Sequence, residues 1–200
     1  MLFLFVSSKH LSIYSIAFLE GGALLSFEIM VSRIYTPHLG STIYVWTSIL
    51  ACTLISLALA YRFSHRLIVR SNWKSIPWFL SIAGFFILFA TYFSHSLLES
   101  TYSMSIRSAS LFVGFSIVSI PVFCMGVISP MLASYIAQTT NQLGKETGII
   151  YGISTLSGVF LTLISVFLLL PTIGVKNTLL FQALILFTAA MLSYITFKKQ

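Results

Sequence analysis

Ala17-Phe18-Leu19-Glu20-Gly21-Gly22-Ala23-Leu24-Leu25-Ser26-Phe27-Glu28-Ile29-Met30-Val31-Ser32-Arg33 is an apolar stretch long enough for several helical turns, yet it carries two glutamates. The chain of 200 residues holds four acidic side chains in all, so half of them fall in this one segment. Placed near the centre of a bilayer-crossing helix, a charged side chain costs about 2.5–3.5 kcal/mol on insertion scales. Such a group needs a partner, a proton or a wet cavity.

The rest of the sequence places this segment in lipid. Hydrophobic residues make up 58% and charged residues 8% of the chain, against about 25% charged in an ordinary soluble domain. Nearly all of its surface therefore faces something other than water, and the apolar runs are long enough to span a bilayer. The net charge of +7 does not read as a nucleic-acid footprint, because no stretch interleaves basic residues with exposed aromatics. Cys52 and Cys124 fall inside apolar runs and are expected to act as small hydrophobes without a disulfide. Met1–Val6 is apolar but too short, and lacks the basic start, for a signal peptide.

The fold class is therefore all-α, a polytopic bundle forming one domain over residues 1–200. Six spans are expected, at about 11–34, 42–61, 76–97, 107–131, 148–170 and 177–197. Each is about 20–25 residues, sufficient to cross a ~30 Å core with some tilt. The loop Arg62–Lys74 sets the orientation, since Arg62, Arg66, Arg70 and Lys74 stand there with no acid between them. Putting that loop in the cytoplasm brings both termini inside and adds Lys9, Lys145, Lys198 and Lys199, leaving Arg33, Arg107 and Lys176 outside. The expected location is the plasma (inner) membrane.

Several candidate sites follow from the residues. Glu28 lies about 12 Å along the helix from Glu20 and about 80° round it, so the two could line one inward sector as a proton- or cation-binding pair. The alternative is that each is protonated or bonded to a neighbouring helix and serves packing. Arg33 is about 140° from Glu28, so it pairs with it only through an irregular turn or a water, and otherwise snorkels to the headgroups. Tyr151, Ser154, Thr155 and Ser157 either line a pocket or bond between helices. Arg62, Arg66, Arg70 and Lys74 are candidate contacts for a partner or anionic lipid, though a topology signal alone explains them. Pro121 and Pro130 are expected to kink or end the fourth span. Gly148-x-x-x-Gly152 is a close-packing signature, expected inside the bundle rather than at a dimer face. No His has a ligand-spaced neighbour, so no metal and no cofactor are expected.

One further pattern spans the chain. Gly21-Gly22-Ala23-Leu24-Leu25-Ser26-Phe27-Glu28 with Arg33, then Gly40-Ser41-Thr42-Ile43-Tyr44-Val45-Trp46, then Pro121-Val122-Phe123-Cys124-Met125-Gly126-Val127-Ile128-Ser129-Pro130, form three ordered blocks. A fourth runs from Leu143-Gly144 through Gly148-Ile149-Ile150-Tyr151-Gly152-Ile153-Ser154-Thr155-Leu156-Ser157-Gly158 to Leu170-Pro171-Thr172-Ile173-Gly174. In order and spacing these resemble the membrane domain of spermidine synthase-like proteins, the fused transporter/spermidine synthases. Glu20 departs from the pattern, standing where a small residue is usual, and Ser56 and Ala60 replace frequent glycines. Glu28 accordingly ranks ahead of Glu20 as a functional acid.

Full-length relatives in that family carry a cytoplasmic aminopropyltransferase-like domain with a glycine-rich nucleotide-binding turn. No such turn follows a strand here, so the chain is expected not to be an enzyme in itself. What the resemblance implies is an anchor or substrate-handling subunit working with a separate cytoplasmic aminopropyltransferase-like protein. Two alternatives stay open: a small transporter of a cationic, polyamine-like solute, with homo-oligomerisation to complete the pathway, and a non-catalytic membrane scaffold.

Overall fold

The computed structural model describes residues 8–70 and 72–198. Met1–Val6, Lys199 and Gln200, which bear on the reading of the termini, lie outside them. Among the described residues every regular element is helical: α1 (Ser8–Leu39), α2 (Ile43–Val69), α3 (Ile76–Glu99), α4 (Ile106–Gly126), α5 (Ile128–Thr140), α6 (Leu143–Ile164) and α7 (Leu170–Phe197). A 3₁₀ turn at Trp73–Ser75 precedes α3, and a π-helical turn at Ser165–Leu169 joins α6 to α7. Five helical runs are long and apolar enough to cross a membrane: Lys9–Leu39, Ile43–Val69, Trp73–Glu99, Ile106–Thr140 and Leu143–Phe197. The chain is thus an all-helical protein of multi-pass membrane character.

The turns follow from local chemistry. Gly40 adopts φ 70° after α1, a left-handed conformation that glycine reaches without a Cβ penalty. Thr42 then caps α2 by accepting a hydrogen bond from the Val45 N–H at 3.4 Å. Gly174 (φ 76°, ψ 173°) breaks the long run Leu143–Phe197 internally. Pro130 cannot donate the bond that would close on the Gly126 carbonyl, and the helix is interrupted at Val127, between α4 and α5. Pro121, by contrast, lies inside α4, which continues past it to Gly126, so the helix does not end there.

Two other expectations need correcting. Arg62–Lys74 is not a loop for most of its length, because α2 continues through Val69 and carries Arg62 and Arg66 on its last turns. With no glycine or proline before Lys74, and with side chains long enough to keep their charge in water, nothing forces the helix to stop at the apolar boundary. Gly148 and Gly152 do not pack inside: a Cβ at either would meet no atom within 4 Å. The face they occupy points away from α1, and the close packing falls to other glycines.

Those others are Gly21, Gly22 and Gly158. A Cβ on Gly21 would overlap Ser154, one on Gly22 would strike the Leu161 side chain, and one on Gly158 would strike Leu25. Each notch on one helix therefore receives a side chain of the other, as small-residue interfaces in lipid require. The pairs Tyr14 with Glu146, Gly21 with Ser154 and Leu25 with Gly158 advance together, so α1 and α6 run parallel. On α4, Gly114 packs against Cys52 and Gly126 against Leu57 and Ala60, making α2 and α4 parallel as well. Helix α3 runs antiparallel to the segment after Gly174, with Gly84 against Phe187 and Leu98 close to Leu179. Helix α1 and the run Ile106–Thr140 are the most buried: an apolar 18-residue stretch of each is 61% buried, against 17% for that of Leu143–Phe197. Cys52 and Cys124 are both buried free thiols.

Candidate functional site

The close approach of α1 to α6 puts residue 20 in a special position. Gly21 lets the backbones meet, so the preceding side chain, Glu20, is driven into the space between α1, α5 and α6 and is left 2% exposed. Ser129, on the first turn of α5, donates its hydroxyl to Glu20 Oε2 at 3.0 Å. Ser154 on α6 brings a second hydroxyl to the same carboxyl group.

Beside Glu20 lies a cavity of about 160 Å³. Its polar wall is made by Glu20, Tyr61, Ser129, Tyr151, Ser154 and Thr155, drawn from four helices, and its apolar wall by Leu24, Leu25 and Leu57. No Lys, Arg or His lines it. A buried carboxyl group with hydroxyl neighbours and no protein cation can be neutralised only by a proton or by a cation that enters. Tyr61 immediately precedes Arg62, so the cavity sits in the half of the bundle that ends in the basic segment.

The site groups the expected residues differently from the sequence reading. Glu20, Tyr151 and Ser154 come together. Glu28 and Arg33 do not join them, so the paired-glutamate site is not formed. Glu28 turns toward α2, half-buried, with one carboxyl oxygen buried and unpaired; Thr53 is the hydroxyl that faces it, outside hydrogen-bond geometry. The ~80° offset is enough to send the two acids to different neighbours, Glu20 to α5 and α6 and Glu28 to α2. Arg33 forms no ion pair with Glu28 and lines a separate cavity. Arg62, Arg66, Arg70 and Lys74 are all exposed at the opposite end from Arg33. Among the described residues no three His, Cys, Asp or Glu side chains converge as metal ligands.

Sequence reasoning missed two features. Glu146 is 5% exposed and accepts a hydrogen bond from the Tyr14 hydroxyl at 3.2 Å, pinning the lower ends of α1 and α6 together. His38 and His95, 57 residues apart in the chain, bring their rings to 5.0 Å. The offset of about 132 residues that recurs through the α1–α6 contacts could not be read without knowing that the two helices are parallel. No family model, curated protein or solved structure matches the chain.

Proposed function

We propose that the chain is a six-span membrane protein that binds a proton or a small cationic, amine-type group on Glu20 and moves it through the bundle. The observation that carries this reading is a fully buried carboxyl group beside a hydroxyl-lined cavity that contains no protein cation. Six spans are supported by the helix directions. Parallel α1 and α6, parallel α2 and α4, and a reversal at Gly174 fit a chain that alternates direction at each pass. The basic segment supports the cytoplasmic placement of that end in a plasma membrane, with both termini on the same side.

A second reading has its own support. Glu20 is surrounded by residues from three of the blocks that resemble spermidine synthase-like membrane domains: Gly21, then Gly126 and Ser129, then Tyr151 and Ser154. In this reading the chain is a non-catalytic membrane subunit that presents an amine to a separate cytoplasmic aminopropyltransferase-like protein, docked on exposed Arg62, Arg66, Arg70 and Lys74.

The test is flux in proteoliposomes, with spermidine and protons as probes, for the wild-type chain, Glu20→Gln and Glu28→Gln. Transport by the wild type that falls about tenfold or more in Glu20→Gln, as expected for loss of one charge-assisted contact, supports the first reading. Full flux in Glu20→Gln sinks it. A wild-type chain that binds spermidine without moving it, and co-purifies with a transferase-like protein, selects the second.

A further inference from the structure

The end of the bundle opposite the basic segment holds a second cavity, of about 320 Å³, between the last turns of α1 and α3 and the helix that restarts after Gly174. Of the three cations at this end, two, Arg33 and Lys176, line it, together with His38 and His95. No carboxylate lines it. The one acid nearby, Glu99, does not line it and meets His95 Nδ1 at 3.3 Å. We infer that this cavity binds a phosphate-type anionic group.

Four independent observations point the same way. The first is charge: Arg33 and Lys176 come from segments more than 140 residues apart, and the fold brings them to one opening. Lys176 is held there by the Tyr92 ring, 4.8 Å below its Nζ. The second is an orphan: His38 Nδ1 is buried and has no hydrogen-bond partner. A buried ring nitrogen left unpaired is uncommon, and a turn of the His38 ring into the cavity would bring it to a ligand hydroxyl. The third is the helix restart, whose first residues Val175 and Lys176 line the cavity and direct the positive end of the helix toward it. The fourth is the floor, formed by the buried side chains Leu98 and Leu179. A cationic rim above an apolar floor suits the phosphate of an amphiphile as well as a free phosphate.

The experiment uses the whole chain purified in neutral detergent. Its thermal unfolding midpoint is followed with inorganic phosphate, and separately in micelles of the phosphate-free neutral detergent that contain or lack phosphatidylglycerol. A rise with phosphatidylglycerol alone identifies a lipid headgroup as the source, a rise with phosphate alone a soluble one, and a rise with both the shared chemistry. In each case the apparent affinity must fall about tenfold or more in the double variant Arg33→Gln/Lys176→Gln. It must persist in Arg62→Gln/Arg66→Gln, which removes equal charge from the other end. Both pairs are exposed and bonded to no core group, and single Lys176→Gln serves as the milder variant should the double variant fold poorly. No rise with either probe, or a rise that survives Arg33→Gln/Lys176→Gln, overturns the inference.

Discussion

Glu20 and Glu28 are the same side chain on the same helix, two turns apart, yet their surroundings share almost nothing. Glu20 sits against α5 and α6, with a serine hydroxyl at 3.0 Å and a cavity beside it. Glu28 sits against α2, half-buried, with a carboxyl oxygen that meets no partner. The difference arises at the residue adjoining each acid. Gly21 admits the Ser154 backbone and so draws α6, with its hydroxyls, onto the Glu20 sector. Phe27, Glu28's neighbour, is a fully buried bulky residue and offers no such notch. Which neighbours an intramembrane acid meets thus depends on the residue beside it as much as on the acid.

The largest effect expected from this contrast is on Gly21. Gly21→Val places carbon atoms on the Ser154 backbone, which cannot rotate aside, and should cost about 3 kcal/mol by overpacking. A detergent or thermal titration of the folded fraction measures it; a loss below about 1 kcal/mol would mean α1 and α6 are not in contact there. Next is Ser129→Ala, which removes the hydroxyl bonded to Glu20 and should destabilise by about 1.5 kcal/mol while weakening amine binding. An unchanged affinity would separate Ser129 from the site. Glu28→Gln should change stability by no more than about 0.5 kcal/mol and leave flux intact, since no bond is lost. Flux as impaired as in Glu20→Gln would erase the distinction between the two acids. Opposite in sign is Gly152→Ala, which meets open space and gains helix propensity, giving stabilisation of about 0.5–1 kcal/mol. A clear loss would show that the outward face is covered in the assembled protein.

The membrane character, the all-helical class and most helix positions were legible because they rest on composition and run length, which one chain displays directly. Tyr151 and Ser154 were legible as a polar set, but which acid they serve was not. Periodicity gives the angle between Glu20 and Glu28 and says nothing of which helix faces each. The extension of α2 past Arg62 was missed because charge marks the edge of the lipid, and a helix need not end there. The role of Gly148 and Gly152 was misassigned for a related reason. A four-residue glycine spacing names a face suited to close contact, and Gly21, Gly22 and Gly158 supply that contact in the fold without forming the same motif.

The glycine-lined seam between α1 and α6 also dictates how this protein should respond to heat. In water, separating two apolar surfaces hydrates them, and the resulting heat-capacity increment bends the stability curve into a dome. Parting α1 from α6 inside a bilayer exposes Leu25 and Leu161 to acyl chains instead, so that increment is missing from this step. The seam is held by dispersion at short range, an enthalpic attraction that needs no solvent entropy. Its strength should therefore decline almost linearly on warming, with neither a temperature of maximum stability nor a cold-induced opening of the Glu20 cavity.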